Sequence, residues 1–272
     1  MTVTAADVRS IVRAPRVSVG HAWRYWLRNA AIFKHTYKLS LLAWFIEPVI
    51  YLVAMGLGLG HYLNAVRSHG HVFKYIDFIA PGLVGLSVMY GSTFETTWNA
   101  FFKMERGKVY DAAVSTPVGL EDIALGEALW ATTRAMIYGT AFIVIALPFR
   151  VFHSWDGLFF PFALAIVGFM FAVMGLLFTY AITMVDYLSY YWTLFLTPMF
   201  MFSGIFFPLD QLPGWLQGLS WFMPLRHAVD LMRALLAEGD VAAAARASLW
   251  IIVVSALLFV IPLNLLRRRL EN

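Results

Sequence analysis

Three ionisable side chains sit inside long apolar runs of this chain: Glu47, immediately before Pro48, then Glu95, then Arg134. A charge in hydrocarbon costs at least about 2.5–3.5 kcal/mol unless it is paired, neutralised or turned toward a cavity, so each marks either a pathway or a packing contact. Glu95 and Arg134 fall toward the same end of their runs and can meet at similar depth. They read either as a structural pair that fixes helix packing or as part of a transport route. Glu47 has no evident partner and stays open between transport and packing. Outside the runs, Arg226, Asp230 and Arg233 are spaced by four and three, on one side of a helix, where an exposed pair contributes only tenths of a kcal/mol, about 0.2–0.5. His61, His69 and His71 lie close in sequence, but with no carboxylate cluster and no helical spacing they make a poor zinc set.

Most catalytic chemistry is excluded by what is missing. There is no cysteine, so thiolate catalysis, thiolate metal sites and disulfides are ruled out together. No G-x-x-x-x-G-K-[ST] occurs. The only Gly-Lys pair is Gly107-Lys108, and the residue five before that glycine is Phe102. The chain therefore carries no phosphate loop, and ATP hydrolysis is not expected in it. G-x-S-x-G, H-E-x-x-H and EF-hand patterns are also missing, so no catalytic residue, metal or cofactor is assigned to this chain. The glycines of GLGLG, 56–60, permit close helix approach and lack the strand and charged partner of a phosphate loop.

The elements that hold these residues must be membrane helices. Of 272 residues 61% are hydrophobic and 13% charged, with mean hydropathy +0.72, against about 25% charged in ordinary soluble domains. Crossing a ~30 Å hydrocarbon core takes about 20 helical residues. Six runs reach that length, near 41–60, 79–101, 128–149, 158–183, 187–207 and 248–266. They are too long and too uniformly apolar for barrel strands, and backbone groups in lipid must be satisfied within the segment. The expected fold is an all-α integral membrane protein with six transmembrane helices. The first 39 residues contain no apolar core of signal-peptide type, so the first span is its own signal.

Six spans place both termini on one side. That side collects thirteen Lys and Arg, from Arg9, Arg13 and Arg16 through Lys103, Arg106 and Lys108 to Arg267, Arg268 and Arg269, against six opposite. By the positive-inside rule the termini are cytoplasmic. Net charge +4 then reads as topology and attraction to anionic lipid, with no nucleic-acid partner.

Three connecting regions stand out. Residues 1–39 form a cytoplasmic N-terminus in which Val19, Trp23, Trp26, Ala30, Phe33 and Tyr37 make one helical stripe, with Arg24, Arg28, His35 and Lys38 largely away from it. This predicts an amphipathic helix in the membrane surface, the alternative being a soluble lead-in. Between the second and third spans, 103–118 is highly charged and breaks at Thr116-Pro117, with Glu121 and Asp122 placed to favour a new helix start. That elbow is either a docking surface for a soluble partner or a polar loop that closes a hairpin. On the opposite side, SGIFFPLDQLPGW ends the fifth run with Ser203, Gly204, Phe207, Pro208 and Pro213, and leads into a segment too interrupted to cross. It predicts short broken helices over 208–226 that dip into or lie along the outer boundary before the last span. The transmembrane domain is 40–267, with a cytoplasmic tail at 268–272.

This layout resembles the type 2 ABC exporter permeases. The match is most specific at SGIFFPLDQLPGWLQGLSWFMPLRHAVDLMR, 203–233, and EPVIYLVAMGLGLG, 47–60, with STPVGLEDIALGEALW, 115–130, is similar to the NodJ-type lipooligosaccharide exporter permeases. The resemblance implies a homodimeric half-transporter in the bacterial inner membrane, working with two copies of a separate ABC ATPase that holds ATP and Mg2+. It implies a coupling helix at about 103–118, with Lys103, Glu105, Arg106, Tyr110, Thr116 and Pro117 facing the ATPase, braced by the interfacial helix. Charge reversal at Glu105 and Arg106 is then expected to lower coupling. It also implies a gate formed by Glu47, Ser203, Gly204, Phe207, Pro208 and Pro213, and a pathway where the first, second and fifth spans of two copies meet. The implied cargo is an amphiphilic glycolipid or lipooligosaccharide moved outward. Polysaccharide and hydrophobic-drug exporters of the same family stay open, as does an ATP-independent carrier, which would want more midplane acids than Glu47.

Overall fold

The computed structural model describes residues 17–63, 65–68, 70–151 and 159–271, and these are helical almost throughout. The expectations for Arg9, Arg13, Arg16 and His69 fall outside the described residues. Helix α1, Val19–Tyr51, continues as a widened turn, Leu52–Gly58, and a tight one, Leu59–His61. The interfacial segment and the first expected span are thus one helical backbone. The sequence supplies the reason: no proline or glycine interrupts 21–47. A small antiparallel hairpin follows, β1 Val66–Ser68 with β2 His71–Phe73, in the register Val66 to Phe73.

Helix α2 runs Tyr75–Glu105 with a widened turn at Glu95–Asn99. It is the centre of the molecule, its first 20 residues almost all buried between the third, fourth and outer helices. The elbow follows, but with one more break than Thr116-Pro117 alone predicts. The helix ends at Arg106–Lys108, where Arg106 N–H and Gly107 N–H both donate to the Phe102 carbonyl and Lys108 takes a left-handed φ of 47°. Short helix α3, Val109–Val114, is therefore set off on both sides. At its far end the Thr116 hydroxyl donates to the Ala113 carbonyl at 2.6 Å.

Helix α4, Leu120–Phe149, starts where the acidic pair predicts. The Asp122 carboxylate accepts from Gly119 N–H at 3.0 Å and from Ser18 N–H at 2.6 Å, so one side chain caps α4 and fastens the start of α1 to it. Helix α5, Phe160–Ala181, packs closely on α4: a Cβ added at Gly168 would lie 2.7 Å from that of Ala135, the close approach small residues allow between membrane helices. Then come α6 (186–201), α7 Gly214–Trp221, α8 Pro224–Arg233 and the last helix, α9, Val241–Glu271.

Among the described residues four helices are long and apolar enough to cross a membrane: Tyr75–Glu105, Leu120–Phe149, Phe160–Ala181 and Val241–Leu270. They correspond to the second, third, fourth and sixth expected runs. The first run is present as a shorter apolar helix, Ile46–His61. The fifth, α6, reaches only about 24 Å before the chain unwinds at Phe202.

Candidate coupling and gating site

Charged and polar residues near the Lys103 end of α2 converge on one carboxylate. Lys103 of α2 extends its ammonium between two acids, 2.9 Å from Glu95 Oε1 and 2.8 Å from Glu127 Oε2 of α4. Glu127 also accepts from the Tyr25 hydroxyl of α1 at 2.9 Å, from Asn29 Nδ2 at 3.4 Å and from the Tyr110 hydroxyl of α3 at 3.3 Å. Four helices therefore meet at a single side chain. Glu95 is held in turn by Asn99 Nδ2 at 2.7 Å and faces the Arg134 guanidinium at 3.6 Å. Two acids and two bases balance the buried charge, which is the condition for holding ions out of water.

The hydroxyls that complete this cluster are fixed as donors. Burial first, and the Glu127 charge second, hold the Tyr25 and Tyr110 phenols well above their ordinary pKa. Neither offers a proton to chemistry near neutral pH. A cavity of about 960 Å³, reached by Asn29, Glu95, Lys103 and Arg134, opens beside it.

These positions revise part of the expected docking surface. Lys103 and Tyr110 lie inside: Tyr110 is fully buried and Lys103 is held by two carboxylates. They brace the elbow from beneath. Arg106, Thr116 and Pro117 are exposed, as are Asp111 and Ala112 on α3. Glu105 is also exposed, but its carboxylate meets Arg269 Nη2 of α9 at 2.7 Å, so the elbow is tied to the last helix as well. Glu95 and Arg134 stand together, as their depth suggests. Glu127 and the inward turn of Lys103 escape a reading from sequence, because both belong to a stretch whose charges look solvated. The apolar frame ALGEALW around Glu127 is the signal that marks it as buried.

On α1 the buried face is Ala22, Tyr25 and Asn29, seated on α4. Val19 and Trp23 of the expected stripe are exposed, while Trp26 stacks on Trp23 at 4.4 Å and donates from Nε1 to the Thr133 hydroxyl at 2.9 Å. Arg24 and Arg28 are exposed. Thus α1 carries a protein-facing side with polar contacts and a second side that exposes both apolar and basic residues.

At the other end of α2 the residues expected to form a gate are held by carbonyl contacts. Gly204 adopts φ +80°, and its carbonyl accepts from Arg233 Nη2 at 2.8 Å. The same guanidinium lies 4.1 Å above the Phe78 ring. The Tyr75 hydroxyl donates to the Phe206 carbonyl at 3.2 Å, and the Ser203 hydroxyl to that of Phe200 at 2.9 Å. Ser203, Gly204 and Pro208 are buried, Phe207 is half-buried, and Pro213 is exposed at the entry to α7. Glu47 is exposed on α1, where it accepts from the Tyr90 hydroxyl at 3.4 Å and also meets Tyr51. Nearby, Tyr51 packs on Phe200 and Phe206, bringing the first and fifth runs together through aromatic rings. Among the described residues no group of three or more His, Asp or Glu is placed to hold a metal ion.

Residues 21–237 match the ABC-2 type transporter family. The chain is similar to Nodulation protein J of Sinorhizobium fredii (strain NBRC 101917 / NGR234), with 35% identity over 90% of this chain and 92% of the relative. It is similar to Nodulation protein J of Rhizobium leguminosarum bv. trifolii, with 36% identity over the same shares. It also resembles the inner membrane transport permease YadH of Escherichia coli (strain K12), with 26% identity over 77% of this chain and 82% of that one.

Proposed function

We propose, from the premise that this chain belongs to the ABC-2 type transporter family, that it is the membrane-spanning half of an ATP-driven exporter. Two copies form the passage, and two copies of a separate ATPase, holding ATP and Mg2+, supply the drive. The chain crosses the bacterial inner membrane six times with both termini in the cytoplasm, α1 and α6 completing the count as shorter spans. The cargo is an amphiphile with a sugar part, of the lipooligosaccharide class.

One observation carries this reading: α3 exposes Asp111 and Ala112, and the turn after it exposes Thr116 and Pro117, while Tyr110 of α3 reaches the Glu127 joint behind it. A partner that grips the exposed side pulls on a buried point shared with α1, α2 and α4. Nucleotide binding that draws two ATPase subunits together then reaches the spans as rigid-body motion. The shift requires that the partner favour one permease state over the other. The test is co-purification with a phosphate-loop ATPase, comparing the wild type with Arg106→Glu. The substitution is expected to lower cargo-stimulated ATP turnover while the protein stays in the membrane, and unchanged turnover would remove Arg106 from the coupling surface.

A further inference from the structure

The outer segment holds a second cavity, which shares only Arg233 with the contacts described for the expected gate. It has a volume of about 650 Å³ and is lined from the hairpin, α7, α8 and α9. Phe78 and Lys103 are 25 residues apart on α2, a helical distance of about 38 Å. The cavity, beside Arg233 and Phe78, therefore lies at the opposite membrane face from the Glu127 joint.

Its lining combines aromatic faces with balanced charge. His227 stacks on Trp250 at 3.8 Å, Nε2 of His227 hydrogen-bonds the Trp221 carbonyl at 2.8 Å, and the Trp221 ring meets Trp250 edge-on at 6.3 Å. Around these rings stand the cations Arg226, Arg233 and Arg246 and the anions Asp230, Glu238 and Asp240. Arg226 is anchored by the Gln217 carbonyl and Ser220 hydroxyl and lies 3.8 Å from Asp230. Arg233 is 3% exposed, and its Nε has no hydrogen-bond partner among the described residues. Arg246 is exposed at the rim.

Equal numbers of fixed donors and fixed acceptors suit a ligand whose groups both donate and accept. Hydroxyls do so, whereas a phosphate would leave the three carboxylates facing an anion. An indole presents an apolar face of the kind that covers the C–H side of a pyranose ring. We propose that this cavity binds the neutral sugar portion of the cargo on the outer side, a role that rests on the exporter reading for its place in transport. Trp221 supplies the platform, while Asp230 and Arg246 hydrogen-bond the ring hydroxyls.

The experiment uses the full chain in detergent, without ATPase or nucleotide, titrated with two neutral tetrasaccharides, one of glucose and one of N-acetylglucosamine, and separately with inorganic phosphate. Saturable calorimetric binding of at least one tetrasaccharide is expected, weakened roughly tenfold or more in Trp221→Leu and in Arg246→Gln, the scale of one hydrogen bond to a charged group. Both substitutions are at exposed positions, so folding is expected to survive, and a melting curve checks it. Absence of tetrasaccharide binding by the folded protein, binding untouched by both substitutions, or saturation by phosphate alone would each overturn the assignment. Because no ATPase is present, these results are independent of whether ATP coupling holds.

Discussion

Lys103 donates to Glu127 at 2.8 Å across the gap between the second and third membrane helices; the Glu127 side chain is buried and that of Lys103 mostly so. Breaking one side of such a pair strands a charge, at a cost of about 3–5 kcal/mol. Lys103→Met is therefore expected to lower the melting temperature sharply. The double variant Lys103→Met with Glu127→Gln should recover a large part of the loss, since Glu95 keeps Asn99 and Arg134. Thermal unfolding in detergent measures both. A single variant as stable as the wild type would mean that the cluster is hydrated.

The Glu105 to Arg269 contact behaves differently. The carboxylate is 39% exposed, and exposed pairs contribute roughly 0–1 kcal/mol. Arg269→Gln is expected to leave the melting curve nearly unchanged. It should lower cargo-stimulated ATP turnover in the assembled transporter, because α9 is no longer tied to the elbow. Equal turnover in wild type and variant would make the tie incidental.

At the gate, Gly204 combines φ +80° with close packing, since a Cβ at this position would lie 3.0 Å from Leu209 Cγ. Gly204→Ala is expected to cost about 1–2 kcal/mol from the left-handed backbone alone. Hydrogen exchange should rise over 203–212. Gly218→Ala, where a Cβ meets nothing within 4 Å, serves as the control and should be neutral or slightly stabilising. Identical exchange in both variants would contradict the strained turn.

Stability should also fall on mild acidification. Burial holds the His227 imidazole below its ordinary pKa, whereas the unfolded chain takes up the proton near ~6.5. The unfolded state therefore binds more protons between the folded value and ~6.5, so stability is level above that range and declines as pH drops through it. Melting temperatures at pH 7.5 and pH 5.5 measure the decline, and His227→Gln is expected to reduce it. An equal decline in the variant would assign it to other groups.

How much was legible follows from what each residue's neighbours reveal. Hydropathy locates α2, α4, α5 and α9, because lipid-spanning helices are recognisable by length alone. The pairing of Glu95 with Arg134 is readable from depth, and the turn at Gly204 from Ser-Gly followed by proline. The joint at Glu127 is not readable in this way. Its partners come from three other helices, up to 102 residues away, and no local pattern announces a contact of that range. The second break at Gly107 is hidden for a different reason, since Arg106 and Lys108 make the turn look like a continuous charged helix.

The central claim is that this chain forms a passage whose motion is driven from outside it. Reconstitution into sealed vesicles, with a fluorescent glycolipid in one leaflet, tests this most directly. Transfer is expected only when the partner ATPase, ATP and Mg2+ are all present. Transfer at the same rate by the chain alone would contradict it.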